Sequence, residues 1–211
     1  MRATVSVTRR SRHPQHSEPV LIGATTDALA ADLVRHRPFD ATEAAHRDAI
    51  LGFLGTVRAP FARAERSGHV TASAIITPPV RPALLLIWHA KAGRWLQPGG
   101  HCEADDVDAP AAALRELLEE TGIARDAVGL ASRELFDVDV HPIPSYGDEP
   151  PHRHYDLRYR FVVPEDAVPV VPGVRWVDAA DAPGVDDTSL RRCLAKLGLL
   201  PANACAPVQS A

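Results

Sequence analysis

Three glutamates, Glu116, Glu119 and Glu120, stand in the string Arg115-Glu116-Leu117-Leu118-Glu119-Glu120-Thr121-Gly122-Ile123. In a helix turning about 100° per residue, their carboxylates gather within roughly a quarter to a third of the circumference. Leu114, Leu117, Leu118 and Ala111 then take the opposite arc and offer a face to a core. The acids are poorly placed for an ordinary solvated helix. Glu116 and Glu120 are like charges at i,i+4, and Glu119 and Glu120 sit in the last turn, where the macrodipole disfavours anions, at about 0.3–1 kcal/mol each. Arg115 can offset part of this by pairing with Glu119. A divalent cation reverses the balance, because hard ions such as Mg²⁺ bind through carboxylate oxygens. The bland alternative for Glu-x-x-Glu-Glu alone is a solvent-facing acidic patch.

The surrounding residues favour the cation. Upstream lies Trp95-Leu96-Gln97-Pro98-Gly99-Gly100, and the stretch from Gly100 to Ile123 resembles the Nudix box. That box runs Gly, five residues, Glu, seven residues, then Arg-Glu-apolar-any-Glu-Glu-any-Gly-apolar. Residues 115–123 match it at every fixed position. One departure is visible: fourteen residues separate Gly100 from Arg115 where the pattern has thirteen. The box's first acid therefore falls on Asp106 or on Val107, depending on the end counted from, with Glu103 and Asp106 as substitutes. The extra residue lies in the polar loop 104–108, where insertion costs little. Asp108 reads as a helix N-cap, Pro110 sits in the first turn, and Gly122 closes the helix.

The resemblance implies an α/β fold, a Nudix-type α/β/α sandwich with a mixed sheet, over residues 68–200. It also implies a metal-dependent hydrolase that cleaves a diphosphate linkage in a nucleoside-diphosphate-type small molecule by water attack on phosphorus. Mg²⁺ (or Mn²⁺) would be held by Glu116, Glu119, Glu120 and a backbone carbonyl at Gly99 or Gly100. Glu116 would be the general base and Arg115 would orient the carboxylates. Domains of this family often pair, so a homodimer stays open. Two other readings keep the fold: a non-hydrolytic binding or regulatory module, and a prenyl-diphosphate isomerase-like enzyme, for which Cys102 beside the box is the argument. A cupin-like centre on His152-x-His154 lacks the glutamate and later histidine that such a site needs.

A second polar constellation lies downstream. Alternation in residues 136–141 puts Asp137, Asp139 and His141 on one strand face. In residues 154–161 the polar set is His154, Asp156, Arg158 and Arg160, and His152 extends its parity. The Pro- and Gly-rich connection between them can close a hairpin that juxtaposes the two sets. Three uses follow: a second metal site of histidine and carboxylate, a substrate-binding face using His141, His154, Asp156 and Arg158, or a solvated face with cross-strand ion pairs.

The remaining elements must position these groups. Residues 1–22 carry Arg2, Arg9, Arg10, Arg12 and no acid before Glu18, and read as a disordered basic arm. Residues 23–67 read as a helical extension, with one helix capped by Thr26 or Asp27 through His36 and another capped by Asp40 or Thr42 to about Gly55. Strands are expected at His69–Thr77, from Ala83 to Trp88, at Trp95–Gln97, from Leu130 to His141, from His154 to Val163, and from Val174 to Val177. A last helix opens at Asp187 or Thr188 and stops at Gly198; residues 201–211 read as a flexible tail. The 211 residues are 45% hydrophobic, enough for a full core. A net charge of −4 argues against a nucleic-acid surface, and no apolar run approaches the ~20 residues of a membrane span. Three scattered cysteines form no disulfide framework, and the chain reads as cytoplasmic.

Overall fold

The computed structural model describes residues 22–145, 147 and 149–205. The expected basic arm up to residue 21 and the tail from 206 lie outside the described residues. In chain order the elements are α1 (Ile22–Arg35), α2 (Ala41–Thr56), β1 (His69–Thr77), β2 (Leu84–His89), β3 (Arg94–Leu96), β4 (Gly99–His101), α3 (Ala109–Thr121), β5 (Gly129–Leu130), β6 (Asp137–Ile143), β7 (His152–Val162), β8 (Val174–Val177) and α4 (Thr188–Lys196). Asp40 caps α2, its side chain accepting from the Glu43 N–H, as expected. The first helix differs: it already runs at Ile22, so Thr26 and Asp27 lie inside it rather than capping it.

The strands form two sheets. In the larger, β1 pairs parallel with β7, β4 pairs antiparallel with the other edge of β1, and β5 and β6 pair antiparallel with β7. The smaller is antiparallel, β3–β2–β8. The Pro78-Pro79-Val80-Arg81-Pro82 break ends β1 and lets β2 start a separate sheet, since proline removes ladder donors. The strand expected from Leu130 to His141 is interrupted. Leu130 faces Phe161 and Asp137 faces Arg158, so the six residues 131–136 span a gap that holds only two residues, 159 and 160, on β7. Polar Ser132, Arg133 and Glu134 leave the sheet there, and Arg133 pairs with Asp108.

β1 is buried along its whole length. Val70, Ala72, Ala74 and Ile76 pack with Leu157, Tyr159 and Phe161 of β7, with Ala112, Ala113 and Leu117 of α3, and with Leu29, Leu33, Ile50, Phe53 and Leu54 of α1 and α2. The helical extension therefore shares the core of the sheet, and Phe53 stacks on Tyr155 at 3.9 Å between centroids. Each fully buried Val, Leu, Ile or Phe among them contributes about 1.5–3 kcal/mol. On the opposite face, Ile75 meets Leu84, Leu86, Val177, Leu190 and Leu194. His69, Thr71 and Ser73 share that second face and are buried though polar. Asp187 caps α4, and residues 202–205 form a short 3-10 turn in which the Ala204 carbonyl accepts from Arg191 Nε at 2.9 Å. Order thus continues past the expected start of the tail at 201.

Candidate active site

The cap residues of α3 fall where the sequence places them. Asp108 accepts from the Ala111 N–H at 2.9 Å, and Gly122 closes the helix at φ 69°, a left-handed conformation that glycine adopts without strain. The buried face differs from the expected one. Ala109, Ala112, Ala113 and Leu117 are buried, while Leu114 and Leu118 are half-buried on the flank. Small alanines let the helix lie close on β1, and this rotation swings the carboxylate arc against β4 instead of away from it. Gly99 donates its N–H to Glu120 Oε2 at 3.0 Å. A Cβ at Gly100 would stand 2.6 Å from Glu116 Cδ, and one at Gly99 would stand 2.8 Å from Ser73 Cβ. Close approach of side chains on both faces of β4 explains the glycine pair.

Arg115 holds the loop and the helix together. It donates to the His101 carbonyl at 2.7 Å, to Asp106 at 3.1 and 3.2 Å, and to Glu116 Oε1 at 2.9 Å. Glu119, its expected partner, is more distant at 3.6 Å and points largely to solvent. Asp106 is buried and also accepts from the Glu103 N–H at 2.7 Å, so the acid that the one-residue slip left uncertain is the loop's anchor to Arg115. Glu103 itself is exposed, 4.0 Å from Arg115.

Charge in the cluster is unbalanced. Burial pushes the Glu120 carboxyl up to about 6, against the Gly99 N–H and with help from Glu116 and Glu119. Burial raises Glu116 as well, outweighing Arg115, with Glu119 and Glu103 adding to the rise. Arg115 meets Glu116 and, at 3.6 Å, Glu119, while Glu120 has the Gly99 N–H, and the side-chain donors of the cluster are all oxygen. That set fits a hard divalent cation such as Mg²⁺ or Mn²⁺. Cys102, the residue that kept an isomerase open, packs against the apolar core, and burial pushes its thiol up to about 12.

The β6–β7 hairpin forms in the register that juxtaposes the two polar sets: Asp137 faces Arg158, Asp139 faces Asp156, and His141 faces His154. Two of the four expected substrate contacts are nonetheless turned inward. Arg158 is 2% exposed, and its guanidinium meets Asp156 at 2.9 Å, Asp137 at 3.3 Å, Asp139 at 3.4 Å and Ser189 at 2.9 Å. Asp156 is 1% exposed and accepts from Thr71 at 3.0 Å and Ser73 at 2.8 Å. The solvated face, one of the three uses left open, is excluded here because α4 covers it, and its Arg192 and Lys196 each reach Asp137 at 2.8 Å. Asp156 and Arg158 both find their partners inside the protein, so the geometry places them in an internal ion network rather than against a phosphate.

His141 and His154 belong instead to a cluster of imidazoles. His154 packs against His69, His101, His141 and His152, with ring centroids 4.9–5.5 Å apart. Burial, then the neighbouring imidazoles, lower His154 to about 2, and burial with His101 and His152 lowers His69 to about 4. These rings are neutral near pH 7. His69 and His101 have no signal in the sequence that links them to His154. The parallel pairing of β1 with β7 places His69 opposite His154, and β4 pairing sets His101 opposite Thr71.

Residues 68–197 match the NUDIX domain family. The chain belongs to that family. As a Nudix protein with all three box glutamates in place, it is a pyrophosphohydrolase acting on phosphorus-containing anhydrides. Among solved structures, the Nudix chain is similar to a C. elegans Ap4A hydrolase (19% identity, TM-score 0.47, covering 61% of this chain and 95% of that one). It is also similar to a NUDIX-family hydrolase of Clostridium perfringens (24%, 0.44, 63% and 97%) and to the E. coli dihydroneopterin triphosphate pyrophosphohydrolase (21%, 0.47, 60% and 92%). At these values the likenesses carry no argument about substrate. No curated protein matches the chain.

Proposed function

We propose that the chain hydrolyses the diphosphate linkage of a nucleoside-diphosphate-type small molecule, with Mg²⁺ or Mn²⁺ held by Glu116, Glu119, Glu120 and the Gly100 carbonyl. The observation that carries this reading is the seating of the α3 carboxylates against the Gly99–Gly100 strand, where like charges raise one another and a single arginine answers them. The bound cation supplies neutralisation of phosphoryl charge and a lowered pKa for a coordinated water. Arg115 fixes the orientation of Glu116 and ties the loop to the helix through Asp106. Glu116, whose pKa burial has raised, takes the proton of the attacking water. His141, whose side chain is 35% exposed beside His154, remains available to a substrate. The thiols Cys102 and Cys193 are free, which accords with a reducing, cytoplasmic setting. No described helix is long and apolar enough to cross a membrane.

Glu120→Gln tests the reading. Mg²⁺-dependent cleavage of ADP-ribose or the best substrate from a panel of diphosphates falls by at least about 100-fold, with the thermal midpoint maintained. Unchanged turnover refutes the assignment. Tight binding of such compounds by the wild type without any cleavage would make the fold a binding module.

A further inference from the structure

The glutamates do not form the tightest group of donors in the molecule. Among the described residues, that group is histidine: one ring nitrogen from each of His69, His101 and His154 lies within 4.8 Å of the others. We propose that His69, His101 and His154, with His152 as fourth donor, form a binding site for a borderline transition-metal ion such as Zn²⁺, separate from the glutamate site.

Three observations support it. First, both ring nitrogens of His69 and Nε2 of His101 are buried without a hydrogen-bond partner. Buried polar atoms are nearly always satisfied, so one orphan nitrogen from each of His69 and His101 beside His154 calls for a ligand. Second, His152 is prepared as a donor. Its Nδ1 stands 2.9 Å from the Pro150 carbonyl, which can only accept, so Nδ1 carries the proton and Nε2 presents its lone pair. That lone pair faces His154 Nε2 at 3.3 Å. A tetrahedral ion with Zn–N of 2.0–2.1 Å has nitrogen-to-nitrogen edges of about 3.3–3.4 Å, so this pair already spans one edge. Third, a fifth imidazole borders the site: His141 packs edge-on against His154, with its own Nδ1 held by Asp139 at 3.0 Å. The ring nitrogens of His69 and His101 stand within 4.8 Å of that of His154, so an inward shift of up to about 1.5 Å would complete the remaining edges.

The donor chemistry separates the two sites. Four imidazoles select Zn²⁺, Cu, Ni or Fe over Mg²⁺, whereas the carboxylate set prefers hard ions. The strand geometry separates them as well. His101 pairs with Thr71 and shares its face, while Gly100 pairs with Ala72 and abuts Glu116 on the other.

The test uses the full chain, stripped with chelator and titrated with Co²⁺. The expected result is one equivalent bound with the visible ligand-field absorption of tetrahedral, nitrogen-ligated cobalt, displaced by Zn²⁺ and not by Mg²⁺. The triple variant Glu116→Gln, Glu119→Gln, Glu120→Gln keeps this band, while His69→Gln and His154→Gln weaken Co²⁺ binding by at least about 100-fold. Loss of the band in the triple glutamine variant, or only weak octahedral colour in the wild type, overturns the proposal. If the histidine variants do not fold, X-ray absorption on the zinc-loaded wild type decides: three or four imidazoles support the site, and fewer overturn it. Hydrolysis by the same preparations reports on the glutamate site alone, so failure of either reading is seen separately.

Discussion

Replacing Arg158 with methionine separates an internal keystone from a phosphate contact. The guanidinium is 2% exposed and meets three aspartates. Its removal affects them unequally. Asp137 keeps Arg192 and Lys196 at 2.8 Å, and Asp139 keeps His46 and His141 at 3.0 Å. Asp156 keeps no cation, only the Thr71 and Ser73 hydroxyls and a 3.4 Å contact from Gln97. Breaking a buried pair so that one charge is left uncompensated costs about 3–5 kcal/mol. At roughly 2–4 °C per kcal/mol for a chain of this size, the midpoint falls by about 6–20 °C. The pH dependence has a definite sign. Burial pushes Asp139 up, but Arg158, His141 and His46 outweigh it and hold the carboxyl well below the usual range. A depressed folded pKa stabilises above the unfolded value near 3.9 and is lost as pH falls. The variant loses the Arg158 share of that contribution, so its deficit is constant from pH 7 down to about 4 and narrows only as pH falls below the unfolded value. Thermal unfolding at pH 7 and pH 3, with KM measured at pH 7, checks both points. A midpoint within about 2 °C of wild type together with a raised KM would refute the internal role and restore the phosphate contact.

Three further outcomes follow from the same geometry. Gly100→Ala drives a methyl into the Glu116 carboxylate, whose flexible end can yield, so the fold persists while a displacement near 1 Å lowers kcat/KM by about 10²-fold; steady-state kinetics with a matched melting curve decide. Cys102→Ser leaves hydrolysis unchanged, and iodoacetamide at pH 8 modifies native Cys102 slowly, because the thiol titrates near 12; mass spectrometry of the labelled peptide gives the rate. Burial pushes Glu43 up, but hydrogen bonds from His36, Lys196 and the Phe39 N–H bring it down to about 2. Its stabilisation, about 3 kcal/mol, is present above pH 4.5 and is lost between 4.5 and 2; Glu43→Gln flattens that acid limb in a series of melting curves.

What could be read from residues alone was what neighbours in sequence determine. The caps Asp40, Asp108 and Asp187, the closing Gly122 and the ends of β1 and β8 follow from local preference and were legible. The turn that sets Glu116, Glu119 and Glu120 on one side of α3 has the same origin. Which side of α3 would be buried was not legible, because alanine spacing competes with leucine spacing and only contact with β1 decides. The split of the expected 130–141 strand, the second sheet, the enclosure of Arg158 by α4 and the meeting of His69 and His101 with His154 all depend on pairings between distant segments. No period in the sequence encodes those. The proline break after Thr77 was visible, but its consequence, a strand joining a different sheet, was not.

Three-residue β4 acts as a party wall. Its backbone and Gly100 border the carboxylates, while His101 enters the imidazole cluster on the other side. A substitution in this wall cannot adjust one compartment and spare its neighbour, which leaves Gly99, Gly100 and His101 little room to drift. The extra residue between 102 and the cap at Asp108 sits in the adjoining loop, with Arg115 and Asp106 clamping the slack.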